Sequence, residues 1–357
     1  MTATLPLKDK RILVTGGTGS LGKVLLKRLL SGEMGVPGKI LIFSRDEAKQ
    51  WALRMEYQQR RAATEEIIYR NAEDLLEFHI GDVRDYHSVS GVLQGVDVIF
   101  NTAALKQVPA CEYFPYQAVM TNVIGAENIV RAIQEYHLPV ETVVGISTDK
   151  ACKPVNVMGM TKALQERVFI QANLRCPGTR FVCVRYGNVL ASRGSVIPLF
   201  HEQIRNGGPV TITTAEMTRF LLNLDRAVDV IFAAVNDGQR GETYIPRVPT
   251  ARMIDVARAL IGDRDVKIEI IGIRPGEKIH EILVSEEECS RTVDRGEHYA
   301  ILPVLPELRQ SAPYKAALTG EYSSADDVTD IMEVEEMLRR HRLMLEDVEG
   351  KEQELLR

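Results

Sequence analysis

The segment Thr15-Gly16-Gly17-Thr18-Gly19-Ser20-Leu21-Gly22 lies between a short apolar run, Arg11 to Thr15, and a stretch whose leucines recur at helical spacing. Few local patterns restrict a fold so tightly. Glycines at 16, 19 and 22 permit a tight turn, the close approach of an anion and close packing of the next helix on the strand. The free amides of a helix start then point at that anion. Leu21, Leu25, Leu26 and Leu29 give the helix one apolar stripe. The pattern predicts the first strand–turn–helix unit of a dinucleotide-binding α/β fold. Thr15, Gly16, Thr18, Gly19, Ser20, Leu21 and Gly22 are its expected contacts.

The same alternation continues along the chain. Strands are expected at 39–43, at 76–80 leading into Gly81-Asp82, and at 96–100, 141–147 and 180–185. A charged helix is expected over 46–62. Val119, Val123, Ala126, Val130 and Ile133 mark one face of another. Short apolar strands alternating with helices predict a Rossmann-like parallel sheet covered by helices on both faces, over residues 8–186. From Gly187 the rhythm loosens, with turns at Gly207-Gly208-Pro209 and Arg274-Pro275-Gly276. Residues 187–330 read as a smaller C-terminal substrate-binding domain, with 242–245 returning one strand to the main sheet. Residues 331–357 are a charged helix and tail, the helix spanning 330–345. A chain of 357 residues suits this division.

Bulk properties narrow the function classes. The formal charge is −5 and no lysine or arginine block stands out, which argues against a nucleic-acid partner. The cysteines at 111, 152, 176, 183 and 289 show neither metal-ligand spacing nor a CxxC pair. They read as reduced packing thiols, with no metal site. The apolar stretches fall short of the roughly 20 residues of a membrane span. No signal peptide precedes the first strand, so the expected location is the cytoplasm, without membrane insertion.

The second strand ends Phe43-Ser44-Arg45, where NAD-selective sites place a carboxylate for the ribose hydroxyls. A hydroxyl and a guanidinium fork suit a 2′-phosphate, so NADP is expected in preference to NAD, with Ser44 and Arg45 as its contacts. Asp82 and Val83 are placed to meet the adenine. Asn101, Ala103 and Ala104 are placed to pass beside ribose and phosphates. Further on, Thr148, Asp149 and Lys150 end a strand shortly before a helix that carries Met158 and Lys162 one turn apart. A carboxylic acid and two amines are thus gathered beside the expected nicotinamide.

The motifs TGGTGSLG at 15–22, SRDE at 44–47, GDVRD at 81–85, NTAALKQVPACE at 101–112 and NVIGAENIV at 122–130 carry a family resemblance. STDKA at 147–151, PVNVMGMTKALQE at 154–166, RYGNVLASRGSVIPLF at 185–200, EMTRF at 216–220 and RPGEKIHE at 274–281 complete it. The chain resembles the extended short-chain dehydrogenase/reductase superfamily. More narrowly, it resembles the soluble UDP-N-acetylglucosamine 4,6-dehydratases of bacterial capsule and surface-polysaccharide synthesis. The resemblance implies a lyase with an internally recycled hydride, acting on UDP-N-acetylglucosamine to give a 6-deoxy-4-keto sugar, with or without C5 inversion. It also implies a homo-oligomer built from dimers, up to a hexamer.

Many relatives carry tyrosine where this chain has Met158, and a thioether has no ionisable proton. The resemblance therefore implies that Asp149 and Lys150 divide the acid and base roles. Thr148 would bind the 4-oxygen, and Asp149 would relay the C4 proton and protonate the departing C6 hydroxyl. Lys150 would act as a neutral base at C5, its pKa depressed by Lys162 and partial burial. Lys162 would hold the nicotinamide ribose. Lys106, Asn188, Arg193, Arg219, Arg274 and Glu277 are the implied substrate contacts, the arginines for the diphosphate. A UDP-sugar 4-epimerase, with hydride returned to C4, is the alternative reading; the absent tyrosine weighs against it. A non-catalytic nucleotide-binding protein is a third, and retention of Thr148, Asp149, Lys150 and Lys162 weighs against that.

Overall fold

The first strand, β1 (Arg11–Thr15), is buried on both sides: Ile12 and Val14 pack into one apolar core and Leu13 into another. Side chains of a strand alternate sides, so such a run must lie between two covering layers. The computed structural model, which describes residues 5–63, 66–190, 195–309 and 313–348, has that arrangement. Strands β2 (Lys39–Ser44), β3 (Leu76–Ile80), β4 (Val98–Asn101), β5 (Thr142–Ile146) and β6 (Arg180–Val184) join β1 in the order β3-β2-β1-β4-β5-β6, all parallel. Residues Thr243–Pro246 extend the sheet parallel to β6. His298–Ile301 and then Thr292–Asp294 add antiparallel strands, for nine in all.

Helix α1 (Ser20–Ser31) covers one face with Leu25, Leu26, Leu29 and Leu30, and ends at Gly32 in the left-handed region at φ 76°. The opposite face is covered by Gly125–Glu135 and by Phe169 and Ala172 of Val157–Arg175. The strand order reverses between β1 and β4, and open parallel sheets bind ligands in the crevice at that reversal. Within this sheet and its helices, some elements differ from the sequence reading. Residues Val119–Ile124 form a π-helical segment ahead of Gly125–Glu135, so the expected single face changes pitch midway. The fourth strand starts at Val98, because the Val96 amide closes a turn onto the Leu93 carbonyl.

A third core serves the smaller C-terminal part, where Phe200, Leu260, Val334 and Leu338 meet. Asp330 caps the helix Ile331–Arg340, its side chain accepting from the Glu333 amide. That helix stops short of the expected 345. Arg342 adopts φ 53°, and a separate turn follows at Leu345–Val348. Among the described residues no helix is long and apolar enough to cross a membrane.

One buried cation ties the two halves together. Arg185, just past β6, donates to both Glu166 oxygens at 2.7 and 3.0 Å and to both Glu288 oxygens at 2.8 and 3.0 Å. It also donates to the Leu283 carbonyl at 2.8 Å. Ser147, at the end of β5, donates to the same Glu166 at 2.5 Å. Removing one member of a buried ion network strands the others. Arg185→Met should therefore lower the unfolding free energy by about 3–5 kcal/mol. Urea denaturation checks this, with a shift of the midpoint at unchanged slope as the expected result.

Candidate active site

The glycine turn is built by close approach. Gly16 adopts φ +68°, and a Cβ there would stand 2.9 Å from the Ala103 backbone. A Cβ on Gly22 would stand 2.6 Å from the Gly17 backbone, so only glycine lets α1 start this near the turn. Gly19 holds the cap position and no side chain caps the first turn of α1. Gly16, Thr18, Gly19, Ser20, Leu21 and Gly22 accordingly line a cavity of about 640 Å³ along the β1/β4 reversal. Thr15 and Asn101 do not line it. They brace it: the Thr15 hydroxyl donates to Asn101 Oδ1 at 2.9 Å and accepts from the Ala103 amide at 3.2 Å. Ala103 and Ala104 line the wall that this brace fixes.

At one end of the cavity lie Ser44, Arg45, Asp82 and Val83. The Ser44 hydroxyl is buried and already accepts from Gln50 Nε2 at 3.0 Å. The Arg45 guanidinium leans towards the Asp82 carboxylate at 3.9 Å. Asp82 also takes the Arg84 guanidinium at 2.6 and 2.9 Å. Burial pushes the Asp82 carboxyl up, but the Arg84 contacts outweigh it and hold it below the ordinary value. Ser44 is thus held by Gln50, and Arg45 lies beside an acid that Arg84 also engages.

At the other end, the β5–β6 ladder runs on past both strands: the Ser147 amide bonds the Val184 carbonyl and the Asp149 amide the Tyr186 carbonyl. This places Thr148, Asp149 and Lys150 at the cavity in a short 3-10 turn. The helix Val157–Arg175 starts against that turn. Asn156 caps it by accepting from the Gly159 amide, and a Cβ on Gly159 would stand only 2.1 Å from the Lys150 carbonyl oxygen. Met158 and Lys162 therefore face the same cavity. Met158 is 5% exposed and packs with Cys111 and Ala118.

The polar groups here form one chain. Thr148 Oγ1 donates to Asp149 Oδ1 at 2.8 Å, and Lys150 Nζ donates to the same oxygen at 3.0 Å. Lys150 also donates to Asn188 Oδ1 at 3.2 Å and pairs with Glu281 at 3.2 Å. Burial pushes the Lys150 ammonium down, but the Asp149 and Glu281 carboxylates more than offset it and hold the pKa above the ordinary value. The expectation of a neutral Lys150 base is corrected on that ground: it overlooked Glu281, which lies far along the chain. Lys162 is the amine whose pKa falls. It is 6% exposed, gives its Nζ to Gln165 at 2.8 Å, and burial lowers it to about 8.

Of the remaining predicted contacts, Lys106 and Asn188 line the cavity. Arg219, Arg274 and Glu277 do not. The Arg219 terminal nitrogens donate to the carbonyls of Thr218, Lys278 and Ile279, and its Nε stands 4.0 Å from Glu281. Arg274 is exposed, and Glu277 accepts from Thr213 Oγ1 at 3.3 Å. Arg193 lies outside the described residues. The sequence reading missed Tyr186 and Gly187, which line the cavity next to Asn188, and Thr121 on the π-helical segment. Tyr186 and Gly187 stand in the RYGN stretch, so the signal was present. Nothing in a helical period marks Thr121. Among the described residues no group of three or more metal-ligating side chains is gathered.

A family model described as polysaccharide biosynthesis protein matches residues 12–303. The UDP-glucose 4-epimerase of Rickettsia conorii (strain ATCC VR-613 / Malish 7) is 42% identical over 92% of this chain and 95% of that protein. The crystal structure of Pen from Bacillus thuringiensis is similar at a TM-score of 0.83 and 33% identity, over 95% of this chain and 99% of that one. The fold is also shared with the UDP-glucose 4-epimerase of Thermus thermophilus in complex with NAD, at a TM-score of 0.57 and 20% identity, over 75% of this chain and 88% of that one. The architecture is thus a Rossmann-type α/β fold with a smaller C-terminal substrate-binding subdomain.

These findings overturn several expectations. Rickettsia proteins that match over 92% of the chain at 41–42% identity carry the name UDP-glucose 4-epimerase. The narrower reading as a UDP-N-acetylglucosamine 4,6-dehydratase, a lyase making a keto-deoxy sugar, is corrected accordingly. The epimerase alternative is the better supported one. Thr148, Asp149 and Lys150 are hydrogen-bonded to one another at the cavity without a tyrosine. The NADP expectation is corrected too. Four solved structures that share this fold, the Thermus thermophilus enzyme among them, are described with NAD.

The Lys162 value fixes a sign that can be tested. Between about 8 and the ordinary 10.5, the folded chain holds fewer protons at this site than the unfolded chain. Its contribution to stability therefore rises as pH is raised through that window. The unfolding free energy of the wild type, relative to Lys162→Met, should climb between those pH values. Parallel stability curves for the two proteins would contradict the assignment.

Proposed function

The chain belongs to the family of polysaccharide biosynthesis proteins, and from that premise we propose that it is a UDP-sugar 4-epimerase, with UDP-glucose or a close relative as substrate and NAD as cofactor. The observation that carries this reading is the Thr148–Asp149–Lys150 chain opening into the same cavity as the glycine turn. The residues present fit a dinucleotide: the bare Gly16–Ala103 contact and the uncapped start of α1 leave room and amides for a pyrophosphate. NAD, when bound, supplies the hydride acceptor and donor at C4.

The protein's own task is to move one proton at the 4-oxygen. Thr148 lies in the cavity and points its hydroxyl proton at Asp149. A proton leaving the 4-hydroxyl passes through Thr148 to Asp149, and returns by the same route once the 4-keto sugar has turned its other face. The Lys150 ammonium stands on Asp149 and stabilises the charge that alternates there. Met158 shapes the wall and exchanges no proton. Lys162 supplies positive potential at the expected nicotinamide ribose, and Lys106 and Asn188 line the cavity as sugar or phosphate contacts.

The test is incubation of the purified protein with UDP-glucose and NAD, followed by proton NMR of the sugar signals. UDP-galactose should appear. An unchanged spectrum, or a new C6 methyl signal, would overturn the reading. Asp149→Asn should lower kcat by about 10²–10⁴-fold, the usual range for a group that transfers a proton in the transition state. Thr148→Val should fall in the same direction, and Met158→Leu should leave kcat within about threefold, as a volume-conserving apolar change does.

A further inference from the structure

Lys150 is held by two carboxylates that come from distant parts of the chain. Asp149 precedes it in the turn after β5, while Glu281 arrives from the loop before the strand Ile282–Val284. Glu281 is 2% exposed, does not line the cavity, and approaches Lys150 Nζ at 3.2 Å. Its main chain is clamped: the Glu281 amide donates to Ser324 Oγ at 2.9 Å, and the Ser324 amide donates to the Glu281 carbonyl at 2.8 Å. The second oxygen of each acid, Asp149 Oδ2 and Glu281 Oε2, is buried with no hydrogen-bond partner among the described residues.

A buried carboxylate oxygen left bare is expensive unless a charge nearby compensates it. Arg219 also contributes: its Nε stands 4.0 Å from Glu281, while its two terminal nitrogens donate to backbone carbonyls. Lys278 gives its Nζ to the Cys152 carbonyl at 2.6 Å. Asn188 offers Lys150 only an amide oxygen. Among the described residues, Asp149, Glu281, Arg219 and Lys278 are the charged groups that face Lys150, and the ammonium is the one cation that both acids share at close range.

We propose that Glu281 is a positioning residue for the epimerisation read above, holding Lys150 as an ammonium against Asp149 from behind the cavity wall. The proposal deepens that reading and rests on it for the reaction, though not for the contact. Glu281 acts only through Lys150. Without its charge, burial would weigh more heavily on the lysine, the amine would lose its proton at lower pH, and Asp149 would lose its support.

The test uses the full chain and two readouts. Acetic anhydride labelling across alkaline pH, mapped by mass spectrometry, reports the titration of Lys150 whether or not the protein turns over. In Glu281→Gln the Lys150 labelling curve should move at least about one pH unit lower than in the wild type. UDP-glucose interconversion should lose about ten- to a hundredfold in kcat with KM little changed, and its alkaline limb should move down in step. Glu281→Asp, which keeps the charge, should label close to the wild type. Coincident Lys150 curves in the wild type and a glutamine variant with native near-UV circular dichroism would overturn the proposal. So would an aspartate variant shifted as far as the glutamine one. A wild type that leaves UDP-glucose unchanged while the labelling shift occurs would sink the epimerase reading and leave the Glu281–Lys150 hold standing.

Discussion

A single ammonium between two buried carboxylates is the constraint around which the candidate site is arranged. Lys150 can bridge Asp149 and Glu281 only if the end of β5, the start of the helix Val157–Arg175 and the loop before Ile282 meet within a few ångströms. Each meeting has its own cause. The β5–β6 ladder continues through Ser147 and Asp149, Gly159 lets the helix press on the Lys150 carbonyl, and Arg185 draws Glu166 and Glu288 together behind them. The two ion networks are separate in their bonds but share strands and helices. The outer one fixes the halves, and the inner one places the proton-handling group.

That placement explains how the site can dispense with a phenol. A tyrosine at position 158 would present its own proton to the sugar. Met158 cannot, and is buried as an apolar wall. In the proposed mechanism the hydroxyl of Thr148 and the carboxylate of Asp149 take that part, with a charged lysine rather than a neutral one behind them. Two lysines near one another are driven in opposite directions. Lys150 has acids beside it and keeps its proton, while burial lowers Lys162 to about 8.

Much of the fold was legible in the residues. The glycine turn, the doubly buried β1 and the leucine stripe of α1 are local patterns, and local patterns are what a sequence displays. The cavity-lining glycines, Asp149 and Lys150 were found for the same reason. What was missed is non-local. Glu281 is distant in sequence from Lys150, Arg219 points its terminal nitrogens at carbonyls, and Gln50 reaches back to the Ser44 hydroxyl. The NADP expectation rested on residue types alone, and solved structures that share the fold are described with NAD. The motifs carry the family but not the reaction, and the absent tyrosine weighs against an epimerase that full-length relatives nonetheless support. The end of the last helix depended on a left-handed residue, Arg342, that no periodicity announces.

The most direct test of the proton relay is a crystal structure with NAD and UDP-glucose bound. It should place Thr148 Oγ1 within about 2.6–3.2 Å of the sugar 4-oxygen, the reach a proton transfer needs. Asp149 and Lys150 should remain linked behind it. A 4-oxygen bonded instead to another group, such as the Tyr186 phenol, with Thr148 and Asp149 turned away from the sugar, would contradict it.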